Sequence, residues 1–297
     1  MAEKAVYKEG EKMKQSNPIF VVSDLHLGSG GRRDNFSSYC KEKQFFDFLD
    51  FIEKNAGELI ITGDLVDLWR FGLRKTLRRY AELFDRLAEM NVSYIAGNHD
   101  QAVELLVQNR ILPHSFFKKT TEPFTRLIGD KRFKFMHGHE FDPFNNGTRP
   151  LWGKIRCLST STIEWIKGTP VHTSDAIEEA LIKLEAKLLE MWLWICLELK
   201  KTFNYDIRSR SFGGSRFKHL RTKKMLARHQ NHKNSQGYDI AISAHTHKAG
   251  SFNNWYFNSG SWIGPANNFL SILPDGSTTI FDWTASGPKK NQTVLCV

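Results

Sequence analysis

Short apolar runs recur along the chain, and each ends in a polar residue able to do chemistry. Ile19-Phe20-Val21-Val22 runs into Ser23-Asp24-Leu25-His26, and Leu59-Ile60-Ile61-Thr62 runs into Gly63-Asp64. Val92 to Ala96 runs into Gly97-Asn98-His99-Asp100, Phe133 to Met136 into His137-Gly138-His139, and Asp239 to Ala244 into His245-Thr246-His247. Such runs read as buried strands whose C-terminal ends open onto a site. Between them Phe45, Phe48, Leu49 and Ile52 fall at helical spacing and predict a helix over Glu42–Asn55. Leu77, Ala81, Phe84 and Leu87 predict a second over Thr76–Met90, and a shorter one is expected over Gln101–Asn109. Strands alternating with helices predict an α/β fold with a largely parallel sheet and helices outside it.

The pattern changes near Asn145. From Arg149 to about Gly237 no strand is read. Asp175, with Glu178 three residues on, offers a helix start, and Ile177, Leu181, Leu184, Leu188, Trp192 and Leu199 form one stripe running to about Lys201. Strands return at Asp239–Ala244, Asn254–Phe257, Phe269–Leu273 and Thr278–Trp283. The expected organisation is a leader over 1–17, a core over 18–144 and 237–286, a helical insertion over 145–236, and a polar tail over 287–297.

Charge sharpens this picture. The chain carries 42 Lys and Arg against 32 Asp and Glu, a net charge of +10 over 297 residues. Nine of the basic residues and no acidic ones lie between Arg208 and Lys233, which leaves the rest of the chain nearly balanced. The basicity therefore belongs to one segment of the insertion. Cys40, Cys157, Cys196 and Cys296 show no close spacing, which argues against a disulfide framework or a zinc knuckle and suits a reducing compartment. Met1 to Gln15 lacks the apolar stretch of a signal peptide, and no apolar run reaches the roughly 18 residues that span a bilayer. A cytoplasmic location is expected.

The strand ends bring together Asp24, His26, Asp64, Asn98, His137, His245 and His247, all oxygen or imidazole donors. Asp24 and His26, like His245 and His247, are two apart, and in an extended segment such pairs point the same way. Oxygen and nitrogen donors without thiolate favour Mn, Fe or Zn in a mixed site, with Mn as the first expectation. Seven donors exceed what one ion needs, and a second ion sharing one carboxylate accounts for the surplus. Two such ions are the apparatus of phosphoryl hydrolysis. His99 is then left to protonate the leaving oxygen, with Asp100 expected to orient it. His139 and Asp142 are expected to support the ligands, while His114, His172, His219, His229 and His232 carry no partner pattern.

Taken together, Asp24-Leu25-His26, Gly63-Asp64, Gly97-Asn98-His99-Asp100, His137-Gly138-His139 and His245-Thr246-His247 resemble the calcineurin-like metallophosphoesterases. The resemblance covers about residues 18–144 and 237–283. It implies a four-layer α/β/β/α sandwich, here with a helical cap insertion. It also implies one divalent ion on Asp24, His26, Asp64 and His247, and another on Asp64, Asn98, His137 and His245, with Asp64 bridging and His99 catalytic. Within that superfamily, Ser23 to Gly28, Gly63 to Trp69 and Asn258-Ser259-Gly260-Ser261-Trp262 resemble the UDP-2,3-diacylglucosamine hydrolase group, which cleaves a lipid-bearing pyrophosphate in lipid A synthesis. Well-known members of that group carry Arg where this chain has His99, and the insertion here is longer and more basic. Arg216, Lys218, Arg221, Lys223 and Lys224 are accordingly the expected contacts to substrate phosphate or to an anionic membrane surface, placing the protein peripherally at the inner membrane. Leu188 to Leu199, with Trp192 and Trp194, reads either as a helix packed on its neighbours or as a wall for acyl chains. A nuclease or cyclic-nucleotide phosphodiesterase stays open beside this reading, because a basic strip also attracts nucleic acid.

Overall fold

The computed structural model describes residues 17–31, 33–142 and 214–295, the first eight of the last stretch by backbone alone. In chain order the strands and helices are β1 Ile19–Val22, α1 Asn35–Ser38, α2 Lys41–Lys54, β2 Glu58–Thr62, α3 Leu73–Arg79, α4 Ala81–Glu89, β3 Val92–Ile95 and α5 Ala102–Gln108. They continue as β4 Thr120–Thr121, β5 Phe124–Ile128, β6 Lys131–Phe135, α6 Gly214–Gln236, β7 Ile240–Ser243, β8 Gly250–Phe252, β9 Tyr256–Asn258, β10 Asn268–Ile272, β11 Thr278–Thr284 and β12 Gly287–Asn291.

Two sheets result. One runs β12-β11-β10-β1-β2-β3-β4 and the other β5-β6-β7-β9-β8. β1 to β4 are parallel neighbours, as are β6, β7 and β9. Strand alternation decides what each face meets. On β1, Ile19 and Val21 join Ile60, Phe133, Phe135, Ile240 and Ile242 in an apolar layer between the sheets. Phe20 and Val22 turn the other way, onto Phe45, Phe48 and Ile52 of α2. Behind the second sheet, Met136, Ala241 and Tyr256 pack against Leu226 of α6. Helices, sheet, sheet and helix form the mixed α/β sandwich expected from the sequence.

Several expectations need correction in detail. The helix foreseen over Thr76–Met90 is broken at Tyr80, whose φ/ψ of −114°/33° is not helical. There the Tyr80 hydroxyl donates to the buried Asp34 carboxylate at 2.6 Å, and its ring packs edge-on to Phe36. The polar stretch from Gly287, foreseen as a tail, forms β12 instead. Its Asn291 amide donates to Asp282 on β11, and Leu295 then pairs with Ser251 of β8, so this segment joins the edges of both sheets. β5 and β8 were not foreseen either: both are edge strands of the second sheet, where one face stays wet and the apolar signal is weak. The helix expected over Thr173–Lys201 and the apolar stretch Leu188–Leu199 lie outside the described residues. No helix among the described residues is long and apolar enough to cross a membrane.

Candidate metal centre

The loops after β1, β2, β3, β6 and β7 meet at one end of the sandwich. They do not meet in the extended geometry expected from the spacing. Asp24, His26, Asp64, His245 and His247 all have positive φ, between 48° and 70°. Non-glycine residues adopt this left-handed region at a cost of order 1–3 kcal/mol each, and only where their surroundings impose it. Here backbone bonds impose it: Asp24 N donates to Gly63 O at 3.0 Å, His26 N to Asp64 O at 2.9 Å, and Trp262 N to Asp24 O at 3.1 Å. Two glycines leave room for the result. A Cβ on Gly63, itself at φ 100°, would strike the His137 ring, and one on Gly97 would strike the Asp64 carboxylate.

The side chains so placed converge on Asp64. His137 Nε2 stands 3.3 Å and His26 Nε2 3.7 Å from Asp64 Oδ2. His26 Nε2 and His247 Nε2 face each other at 3.2 Å, and His247 Nε2 lies 3.1 Å from Asp24 Oδ1. Asn98 Oδ1 is 3.1 Å from His137 Nε2. His137 Nδ1 donates to the Thr62 carbonyl at 2.7 Å, so Nε2 faces Asp64 and in the neutral ring carries the lone pair. Among the described residues, three groups could hold a metal ion: Asp24, His26 and His247; Asp64, His137 and His245; and His26, Asp64 and His99. Among the described residues, the buried Asp24 Oδ1 and Asn98 Nδ2 have no hydrogen-bond partner. Imidazole nitrogens and carboxylate oxygens aimed at one another across 3–4 Å are the donor set a divalent ion satisfies. The residues present fit such ions.

Ionisation follows from this crowding. Burial opposes the Asp24 carboxylate, but the imidazoles of His247, His26 and His137 hold it well below the usual range. Asp64 is likewise held down against burial, chiefly by His137 and His99. In return, Asp64 outweighs burial at His137 and pushes it up to about 10. Burial takes His139 down to about 3, helped by His137 and His245 beside it.

His99 is packed on three sides. Its ring stacks on Trp69 at 4.0 Å and 24°, meets the His26 ring edge-on at 4.6 Å, and its Nδ1 donates to Asp67 Oδ1 at 2.9 Å. Burial works against its charge, but Asp64 and Asp67 hold the imidazole above its ordinary value. Asp67 is therefore the carboxylate that holds His99, and Asp100 is not placed as expected. Asp100 instead accepts four backbone N–H groups, from Gly97 at 2.6 Å, Leu65 at 2.7 Å, Val66 at 3.2 Å and Asp64 at 3.3 Å. Burial and the neighbouring Asp64 push it up to about 6. Asp100→Ala would orphan those buried donors, and a stability loss of at least about 3 kcal/mol is expected in urea melts of the metal-free protein. A loss below about 1 kcal/mol would show that water or a shifted loop replaces the carboxylate.

Sequence reasoning gave Asp67, Trp69 and Arg70 no role. The available signal was a carboxylate three residues after Asp64, with an Arg three further on; Arg70 Nη1 stands 3.5 Å from Asp67 Oδ2. Asp142 lies against His245, its Oδ2 2.9 Å from Nε2. Of the expected phosphate contacts, Lys223 and Lys224 are exposed on α6, whose buried face carries Met225, Leu226 and His229. The side chains of Arg216, Lys218 and Arg221 lie outside the description.

Residues 17–249 match the calcineurin-like phosphoesterase family, and the chain belongs to it. No curated protein sequence gives a significant match. Among solved structures, the chain is similar to Vps29 of Entamoeba histolytica complexed with zinc, at 14% identity over 92% of this chain and 97% of that one, with a TM-score of 0.42. It is also similar to a conserved uncharacterized protein, a predicted phosphoesterase, from Streptococcus pneumoniae, at 13% identity over 93% and 97%, with a TM-score of 0.37.

Proposed function

We propose that this chain is a dinuclear-metal hydrolase of a phosphodiester or pyrophosphate bond. The observation that carries this reading is the cluster around the buried Asp64 carboxylate: His26 and His137 stand against it, Asp24 and His247 lie beside His26, and Asn98 lies beside His137. Asp24, His26, Asp64 and His247 would hold one ion, and Asp64, Asn98, His137 and His245 the other, with Mn favoured and Fe or Zn as the alternatives. Bound there, such ions neutralise phosphate oxygens and make a water nucleophilic at neutral pH.

The chain's own residues supply the rest. His99, beside the cluster and raised in pKa, gives a proton to the leaving oxygen. Asp67 orients His99 by accepting the hydrogen bond from Nδ1–H, so that the proton given up is the one on Nε2. Trp69 keeps the ring from turning. The substrate reading narrows to a lipid-linked pyrophosphate such as UDP-2,3-diacylglucosamine, supported by the motif resemblance and by α6. That helix carries Arg216, Lys218, Arg221, Lys223, Lys224, Arg228 and Lys233 and no acidic residue. The same basic helix favours the second reading, a nuclease or cyclic-nucleotide phosphodiesterase, because phosphate contacts alone bind nucleic acid.

Assay of the Mn-loaded protein on bis-nitrophenyl phosphate, UDP-2,3-diacylglucosamine, cyclic nucleotides and single-stranded DNA tests the proposal. Activity on none of them would contradict it. Changing Arg216, Lys218, Arg221, Lys223 and Lys224 together to Gln separates the two substrate readings. For a lipid substrate, activity on anionic vesicles falls, each surface Lys or Arg contributing about 1 kcal/mol. For nucleic acid, DNA affinity falls and its log–log salt slope flattens by about 0.7 per lost contact. Unchanged behaviour on both would remove the helix from substrate binding. Hydrolysis of the small diester is expected to stay level throughout.

A further inference from the structure

The segment that leads away from His137 reaches the cluster a second time, from behind His245. Gly138, at φ 100°, turns the chain into a short 3-10 turn over His139–Phe141, and Asp142 follows it fully buried. The Asp142 carboxylate meets His245 Nε2 at 2.9 Å. One residue earlier, Phe141 is fastened to α6. Its ring lies 4.1 Å from the His229 ring and 5.1 Å from the His232 ring, and Arg228 Nη1 donates to the Phe141 carbonyl at 3.2 Å. α6 thus touches this turn on one side, and the turn touches a candidate metal ligand on the other.

We propose that Asp142 is the positioning residue for His245, and that α6 sets its place through Phe141. The inference rests on the dinuclear reading, because it takes His245 to be a ligand. A neutral imidazole carries one N–H and one lone pair. With Nε2–H donated to Asp142, the lone pair sits on Nδ1, and the ring plane is fixed by the bond. A carboxylate behind a ligating imidazole also raises its basicity, and removing such a partner costs about 10- to 100-fold in metal affinity. The effect falls on the ion that His245 shares with His137, and spares the ion held by His26 and His247. Phe141 has no donor to offer that ion. Its influence runs through the placement of Asp142, so whatever displaces α6 alters one metal site selectively.

The test is a calorimetric Mn titration of the full chain, with melting temperature followed in parallel. Asp142→Ala is expected to weaken one ion about 10- to 100-fold and leave the other level. Asp142→Asn keeps an acceptor oxygen for Nε2–H and is expected to stay within a few-fold of wild type. Phe141→Ala weakens the same ion as Asp142→Ala, and the double variant is no weaker than Asp142→Ala alone. Unchanged binding in Asp142→Ala overturns the proposal, as does an equal loss of both ions. Additive losses in the double variant overturn the link through Phe141. A wild-type chain that binds no Mn overturns the dinuclear reading itself, a result distinct from the others.

Discussion

Asp64→Asn is expected to abolish hydrolysis, with turnover falling by at least about 10³-fold, and to lower the number of bound ions per chain. Both effects have one cause. Asp64 is buried, sits within 3.7 Å of His26 Nε2 and 3.3 Å of His137 Nε2, and its other oxygen accepts from His99 N at 2.8 Å. An amide in its place offers one oxygen where two are used, and turns an N–H₂ group toward imidazoles or cations. Loss of one group that stabilises transition-state charge costs about 10²–10³ in rate. In the proposed dinuclear site Asp64 would hold both ions, so the larger figure is the floor. Elemental analysis of the purified variant reads the stoichiometry, and bis-nitrophenyl phosphate reads the rate. Two ions retained in Asp64→Asn would remove it from the bridging position.

His99→Ala is expected to reduce turnover by about 10²–10⁴, the usual contribution of a general acid, with metal stoichiometry intact. The loss should be smaller for nitrophenolate esters, whose leaving groups need no proton, than for alkyl esters. Asp67→Asn is expected to show the same dependence on leaving group at smaller amplitude, because it disturbs the tautomer of His99 without removing the ring. Trp69→Ala releases the stacked ring, and a displacement of that kind costs up to about 10²-fold. Equal losses on activated and unactivated esters would mean that His99 positions phosphate and donates no proton.

The candidate donor set was legible because each member follows an apolar run, and such runs read as buried strands. What the runs do not carry is the geometry of the loops that follow them. Asp24, His26, Asp64, His245 and His247 depart from the extended form that their spacing suggests; cross-loop hydrogen bonds from Asp24 N to Gly63 O and from His26 N to Asp64 O hold the first two loops, and His245 N donates to the Asp24 carboxylate. The exchange of Asp67 for Asp100 has the same origin. Asp100 is the sequence neighbour of His99, but the β2 loop folds its N–H groups onto it and fills its oxygens. Asp67 is thirty-two residues away in sequence and three from Asp64, and only that same loop brings it under the ring. At the edges, Gly287–Asn291 lacks an apolar face, because a strand paired on one side needs little burial, and Gly250–Phe252 is only three residues, too short to show a pattern. Their pairing depends on partners distant in the chain, which local pattern does not record.

The central claim is that two divalent ions sit on either side of Asp64. Anomalous X-ray scattering from crystals grown with Mn tests it most directly. The account predicts two peaks, one among Asp24, His26 and His247, the other among Asn98, His137 and His245, with Asp64 touching both. A single peak, or two peaks that do not share Asp64, would contradict it.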